Sequence, residues 1–212
     1  MEHLENLVEA IRNYDGEAAA SWAQKAMDEG VDPIAGLDAV SGVMKNIGDL
    51  FGQEELWLPD LIGSADAAQA ALTVIEKKIT ESGKEPERLG TVVLGTVFGD
   101  IHNIGKTMVG ALLTAHGFKV LDLGTNVTSA QFVEAVKKNK ADILAMSALL
   151  TTTAVEQAKV IDTLEEEGLK DKVMVMVGGG AITEEFAEEI GADGYRATAP
   201  EAVDLAAELM GH

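Results

Sequence analysis

The apolar residues of this chain keep one period up to about residue 82 and a different one from about residue 90, and no other feature restricts the possible folds as strongly. Through the first segment they recur at helical spacing. Leu4, Leu7, Val8 and Ile11 mark a first helix, and Ala19, Trp22, Ala23, Ala26 and Met27 mark a second. Asp32 is placed to cap a third, with Pro33 at its first position, where a missing N–H costs nothing, and Val40, Met44, Ile47 and Phe51 form its stripe. A fourth runs from Leu58 to Thr80 on Leu61, Ile62, Ala65, Ala68, Leu72, Ile75 and Ile79. Short connections between these helices predict a small antiparallel four-helix bundle.

The stretch at residues 81–89, ESGKEPERL, is polar, contains Pro86 and has no apolar period, so it reads as a linker. Beyond it, short β-branched runs alternate with helical stretches. Strands are expected at Thr91–Val97, Lys119–Leu123, Asp142–Met146, Lys172–Val177 and Asp193–Arg196. Helices are expected at Gly105–Ala115, Ser129–Asn139, Thr152–Glu167, Glu184–Ile190 and Pro200–Leu209. Strict alternation implies an α/β fold, a five-stranded parallel doubly wound sheet of flavodoxin or Rossmann type, because right-handed crossovers leave little other choice. The domain boundaries that follow are 1–82 for the all-α segment, 83–89 for the linker and 90–212 for the α/β domain.

Composition narrows the function. With 47% hydrophobic but only 4% aromatic residues, the cores must be built from Ala, Val, Leu, Ile and Met. A net charge of -20 repels a phosphate backbone and argues against nucleic-acid binding. The absence of cysteine excludes disulfides, thiolate metal sites and cysteine nucleophiles, so any metal chemistry must use His, carboxylates or a prebuilt cofactor. The N-terminus lacks a basic start followed by an apolar run, and no stretch approaches the ~18 apolar residues of a membrane span, so no membrane association and a cytoplasmic location are expected.

In a doubly wound sheet, ligands sit beyond the carboxyl ends of the strands. After the first strand comes VFGDIHNIGKT, with Asp100 and His102 two residues apart and Gly105 at the start of a helix. A histidine there can ligate a metal through one ring nitrogen while the other donates to a carboxylate. The same loop also offers Gly99, Gly105, Lys106 and Thr107 to a nucleotide, but five residues separate the glycines where a phosphate loop needs four, and the third strand ends on Met146 and Ser147 where such an enzyme places Asp. The loop after the third strand carries Ser147, Thr151, Thr152 and Thr153, hydroxyls that can cap the following helix or bond a ligand. Gly178, Gly179 and Gly180 follow the fourth strand, and without Cβ atoms they would let a bulky planar group approach the backbone.

Taken together, D-x-H-x-x-G at 100–105, S-x-L at 147–149 with the hydroxyls to 153, and G-G at 178–179 resemble the cobalamin-binding domain of methionine synthase and of the small corrinoid proteins of anaerobic methyltransferase systems. Residues 48–72, GDLFGQEELWLPDLIGSADAAQAAL, resemble the helical cap of the same families, with Trp57 at a position usually held by Phe, and the tail GADGYRATAPEAV resembles their last strand and helix. The resemblance implies cobalamin or a related corrinoid held base-off and His-on, with His102 as lower cobalt ligand and the methylcobalamin state arising in turnover. It implies that Asp100 orients His102, that a proton relay ends at Thr153, and that Asn103, Ile104, Gly105, Ser147, Leu149, Thr151, Gly178 and Gly179 contact the cofactor and its displaced nucleotide tail. Trp57 would lie over the upper face.

The activity implied is methyl carriage: a substrate-specific methyltransferase methylates cobalt(I), and a second methyltransferase with a tetrahydrofolate or thiol acceptor takes the group away. A reductive activator rescues oxidised cobalt, and the chain is a component that does not catalyse alone. The alternative of a different class is a cobalamin-dependent sensor or regulatory module, which ordinarily carries a DNA-binding or signalling segment.

Overall fold

The computed structural model describes residues 2–81 and 88–212. Residues 82–87, most of the stretch expected as a linker over 83–89, lie outside the described residues. The chain divides into two compact units, one of helices and one built on a sheet. Among the described residues no helix is long and apolar enough to cross a membrane.

The helical unit contains α1 (Glu2–Arg12), α2 (Gly16–Asp28), α3 (Pro33–Gly52) and α4 (Leu58–Glu81). Asp15 caps α2 by accepting the Ala18 N–H at 2.9 Å, and Asp32 caps α3 by accepting the Ile34 N–H at 3.1 Å, with Pro33 in the first turn. The buried stripe runs through Leu7, Ile11, Met44, Leu61, Ile75 and Ile79. Small residues let α2 and α4 approach closely, so that a Cβ at Gly16 would lie 3.8 Å from Ala67 Cα. Trp22 departs from its expected place in the stripe and is only partly buried. Its ring stacks on His3 at 5.7 Å between centroids and carries the Lys25 ammonium at 3.9 Å, an arrangement that keeps the ammonium near water.

The second unit alternates β1 (Thr91–Thr96), α5 (Ile104–Ala115), β2 (Lys119–Asp122), α6 (Ser129–Asn139), β3 (Ile143–Ser147), α7 (Thr151–Glu166), β4 (Met174–Gly178), α8 (Glu184–Glu189), β5 (Gly194–Tyr195) and α9 (Ala199–Leu209). All strands are parallel, in the order β2-β1-β3-β4-β5. Their apolar runs (Val92, Val93, Leu94; Ile143, Leu144, Ala145; Val175, Met176, Val177) are buried, as strands covered on both faces require. Because β2 and β3 flank β1, the chain reverses direction between β1 and β3, and a crevice opens outside their carboxyl ends.

Two strands are shorter than their apolar content implies. Lys170–Lys172 form a 3-10 turn, with the Lys172 N–H bonded to Leu169 O at 2.8 Å, so β4 begins at Met174 rather than Lys172. The edge strand β5 keeps only Gly194 and Tyr195. Asp193 instead turns its carboxylate to the Val175 N–H at 2.7 Å and to Lys170 at 2.8 Å, while Arg196 reaches its own chain at Tyr195 O and Glu208 of α9.

Candidate functional site

The loop between β1 and α5 is held from several sides. Gly99 turns it with φ +78°, a left-handed value that an L side chain resists. The Gly99 N–H donates to Asn126 Oδ1 at 2.8 Å, the Asn126 N–H donates to Asp100 O at 3.0 Å, and the Thr96 hydroxyl donates to His102 O at 3.0 Å.

Asp100 is 1% exposed and accepts four hydrogen bonds. On Oδ1 it takes the His102 backbone N–H at 3.0 Å and His102 Nδ1 at 2.7 Å. On Oδ2 it takes the Leu149 N–H at 2.8 Å and the Thr153 hydroxyl at 2.7 Å. Burial by itself pushes a carboxyl pKa up. Here the His102 N–H, the Thr153 hydroxyl, the Leu149 N–H and the His102 ring outweigh it, and they hold Asp100 well below the usual carboxylate range.

An ionised carboxylate only accepts, so the Nδ1 bond places a proton on Nδ1 and makes Nε2 the ring nitrogen turned to a ligand. Nε2 has no hydrogen-bond partner among the described residues, and the His102 side chain is 48% exposed. Among the described residues no three His, Cys, Asp or Glu side chains group as metal ligands. His102 therefore offers one donor to a metal held chiefly by something else.

The carboxylate also links the loops after β1 and β3. Thr153, 7% exposed, lies in the first turn of α7, and its hydroxyl stands 3.0 Å from Leu150 O as well as 2.7 Å from Asp100. None of the 147–153 hydroxyls caps α7, contrary to the expectation that one would. The capping position falls on Leu150, which has no side-chain cap bond, because the threonines begin one residue too late. Ser147 reaches the wall of the cavity described below. Thr151, exposed at the first residue of α7, is not part of that wall, and Asn103 is also exposed.

Around His102 the loops expose Phe98 (50%), Ile101 (76%), Ile104 (70%), Leu149 (42%) and Leu150 (45%), a cluster of apolar side chains that a loop otherwise buries. Beside them a cavity of about 550 Å³ runs along the carboxyl ends of β1, β3, β4 and β5, within the usual range for ligand sites. Gly105 and Gly178 both border it. A Cβ at Gly105 would meet nothing within 4 Å, and one at Gly178 only Arg196 O at 4.0 Å. An exposed apolar rim, a single free imidazole nitrogen and a deep cavity beside two open glycines suit a large flat macrocycle that brings its own metal and carries a tail.

Gly179 borders the same cavity and has a packing task as well. At φ +119° its Cβ would stand 2.0 Å from Ala148 O, so its lack of a side chain lets the β4–α8 loop pack on the β3–α7 loop.

Trp57 belongs to the helical unit, and at 78% exposure it is not the core residue that its place before an apolar helix suggests. Its backbone is held firmly: Asp60 Oδ2 accepts the Trp57 N–H at 2.8 Å, and Asp60 Oδ1 accepts the Tyr14 hydroxyl at 2.8 Å. The bond to Asp60, with burial and the carboxylate charge adding to it, raises the Tyr14 pKa.

Lys106, the lysine of the nucleotide reading, is 4% exposed and ion-paired with Asp122 at the end of β2, which leaves no free ammonium for a phosphate. Two features escaped the sequence reading. Gln157, wholly buried on α7, donates to Met146 O at 3.1 Å and Gly178 O at 3.2 Å, and so ties the ends of β3 and β4 together. The loop after β5, through Tyr195, Arg196 and Thr198, closes one side of the cavity. The rule that ligands collect at carboxyl ends applies equally to the fifth strand and could have found it.

Asp100 makes a pH prediction. A carboxyl whose native pKa lies below its unfolded value contributes stability that is complete above about pH 4 and is lost as the pH falls through the native value. Asp100→Asn should destabilise the cofactor-free protein by about 3 kcal/mol near neutral pH, as charge-assisted bonds become neutral and one amide faces donors. That difference should shrink in acid. Urea unfolding midpoints from pH 7 down to the acid limit of folding check it, and a gap that stays constant would contradict the ionised assignment.

The family described as B12 binding domain matches residues 90–206, and a second B12 binding domain family matches residues 3–76. The chain is 44% identical to a corrinoid protein of Desulfitobacterium hafniense (strain Y51) over 100% of its own length and 99% of that protein's. It is 42% identical to trimethylamine corrinoid protein 2 of Methanosarcina mazei, covering 92% of this chain and 89% of that one. Among solved structures, the methanol:cobalamin methyltransferase complex of Methanosarcina barkeri aligns with a TM-score of 0.83 at 32% identity, covering 99% of this chain and 80% of the matched one. The monomethylamine corrinoid protein of Methanosarcina barkeri aligns at 0.56 and 34%, covering 98% of each. The chain thus belongs to the B12-binding corrinoid proteins and binds a corrinoid.

Proposed function

We propose that this protein carries a methyl group on a corrinoid between two methyltransferases, one specific for the methyl donor and one passing the group to tetrahydrofolate or a thiol. The observation that carries the reading is the His102–Asp100 pair: a buried carboxylate holds Nδ1 at 2.7 Å and leaves Nε2 without a partner among the described residues, on a ring set among exposed apolar side chains. Relatives named for trimethylamine and dimethylamine support a methylated amine as the donor, and the likeness to a methyltransferase complex supports a methyltransferase partner.

The bound corrinoid supplies the cobalt that accepts and yields the methyl group. The chain's own residues do the rest. His102 would hold the cobalt through Nε2, in the base-off, His-on mode. Asp100 fixes the imidazole's tautomer and direction and raises its donor strength. Thr153 completes the carboxylate's shell by donating its hydroxyl at 2.7 Å, and a proton relay from Asp100 would end there. Ile101, Ile104 and Leu149 would exclude water from the bound corrinoid, and the cavity beside Gly105, Ser147 and Gly178 would receive its nucleotide tail. The domains we propose are a cap of residues 1–82, which carries the exposed Trp57, a linker of 83–89 and a cofactor domain of 90–212. The carrier works in the cytoplasm with a reductive activator as a further partner.

Reconstitution tests the reading. Under reducing conditions the full chain should take up about one equivalent of cobalamin and turn red on oxidation, with one histidine nitrogen on cobalt by electron paramagnetic resonance of the cobalt(II) state. A protein that stays colourless and cobalt-free after gel filtration would overturn it.

A further inference from the structure

Asp100 is anchored from two other parts of the sheet's carboxyl end. Its carboxylate is held from beyond β3, by the Leu149 N–H and the Thr153 hydroxyl. Its backbone is held from the loop between β2 and α6, by Asn126. The Asn126 N–H donates to Asp100 O at 3.0 Å, and Asn126 Oδ1 accepts the Gly99 N–H at 2.8 Å, so one residue brackets the Gly99–Asp100 pair.

Asn126 is itself fixed. The Thr96 N–H donates to Gly124 O at 2.9 Å and the Val127 N–H donates to Thr96 O at 3.0 Å, which ties both sides of the 124–127 turn to the end of β1. Thr96 is wholly buried, and its hydroxyl donates to His102 O at 3.0 Å. The stretch from Gly99 to His102 is thus suspended between the end of β1 and Asn126.

The residue type fits two demands at once. Asn126 has φ +57°, in the left-handed region that most side chains resist and that Asn and Asp tolerate. It must also carry a side-chain acceptor of the right reach. Glycine meets only the first demand and alanine neither. Asn126 is exposed and lines no wall of the cavity, so neither core packing nor the cavity accounts for it.

We infer that Asn126 is a positioning residue for the cobalt ligand: it fixes the backbone from which Asp100 and His102 project, and so sets the direction in which the imidazole meets the metal. The inference rests on the reading above, in which His102 ligates the cobalt. The ring takes its orientation from the Nδ1 bond to Asp100 at 2.7 Å, and bonds at the carboxylate alone would leave the backbone it hangs from free to shift. The two bonds of Asn126 remove that freedom. Gly99 and Asn126 are both exposed, so water can serve the groups that a substitution strands; the fold tolerates the loss, and the aim of the ring does not.

The test loads the intact protein with cobalamin and compares Asn126→Gly, Asn126→Ala and Asn126→Asp. Each should take up as much corrinoid as the unmodified protein, because neither the apolar rim nor the cavity includes residue 126. In Asn126→Gly the ratio of histidine-ligated to unligated cobalt(II), read from the nitrogen splitting of the paramagnetic resonance, should fall about fivefold, the effect of one hydrogen bond. The urea midpoint of the cofactor-free variant should hardly move. Asn126→Ala should fall further, since alanine also resists the left-handed backbone, and Asn126→Asp, which keeps the acceptor, should stay within about twofold of the unmodified protein. If Asn126→Gly keeps the unmodified ratio, the assignment of Asn126 is overturned while His102 remains the ligand. A fall in Asn126→Asp as deep as that in Asn126→Gly, or a loss of corrinoid uptake in Asn126→Gly, would overturn it too. An unmodified protein without nitrogen splitting would overturn the axial-ligand reading and this assignment with it.

Discussion

His102→Ala is expected to bind cobalamin still, yet to lose the histidine signature of the cobalt spectrum and to transfer methyl groups at least about 100-fold more slowly, the upper end of what loss of a mere supporting partner costs. Binding should survive because a ligand this large is held mainly by the apolar rim and the cavity, neither of which involves the imidazole. Rate should not survive, because the ring is placed to ligate the metal: its Nδ1 is fixed to Asp100 at 2.7 Å and its Nε2 has no partner among the described residues. Asp100→Asn should move spectrum and rate in the same direction by about 10- to 100-fold, since the ring remains but its acceptor is weakened. Lys106→Ala separates this from a nucleotide site, where the lysine would be the sensitive residue and His102 a silent one. Cobalt(II) resonance spectra and single-turnover transfer from methylcobalamin would decide. An unaltered spectrum in His102→Ala would exclude His102 as ligand.

The elements were legible in the sequence for a local reason: periodicity and caps act within a turn or a strand. Asp32 and Pro33 start α3 where expected, and the parallel sheet follows from the alternation of β-branched runs with helices. The misplaced boundaries are those decided at a distance. β5 is cut short because Asp193 is claimed by Val175 and Lys170, which no local pattern announces.

The same distinction runs through the site. Asp100 and His102 are two residues apart, so their pairing could be expected from spacing, and the structure brings them to 2.7 Å. The carboxylate's other oxygen is satisfied from 49 and 53 residues away, by Leu149 and Thr153. Only the resemblance to corrinoid proteins pointed to Thr153. The exposure of Trp57 was legible only through the resemblance, because an apolar residue just before a helix does not say whether a partner covers it. The packing task of Gly179 was not legible. A Gly-Gly pair after a strand shows that a Cβ is forbidden, but not whether a ligand or another loop forbids it.

Substitution at two glycines separates those causes. Gly179→Ala is expected to destabilise the cofactor-free protein by at least about 3 kcal/mol, combining the strain of a side chain at φ +119° with a collision that no rotamer relieves. The added Cβ would stand 2.0 Å from Ala148 O, 2.6 Å from its carbonyl carbon and 2.8 Å from its nitrogen. Ala148 is fully buried and its N–H is bonded to Gly178 O at 3.0 Å, so relief requires the β3–α7 loop to move. The next residue, Leu149, donates its N–H to Asp100, and the movement should loosen the shell that orients His102. Gly180→Ala meets only the end of the Leu149 side chain at 2.8 Å, which can rotate away, and should cost much less. Gly105→Ala meets nothing within 4 Å and lies in the first turn of α5, so the cofactor-free protein should keep its urea midpoint or gain slightly, by up to about 1 kcal/mol. Its cobalamin affinity, however, should fall, since the new methyl group enters the cavity. A midpoint for Gly179→Ala close to that of the unmodified protein would mean that the two loops are free to part, and an undiminished affinity in Gly105→Ala would mean that the ligand does not pass that wall.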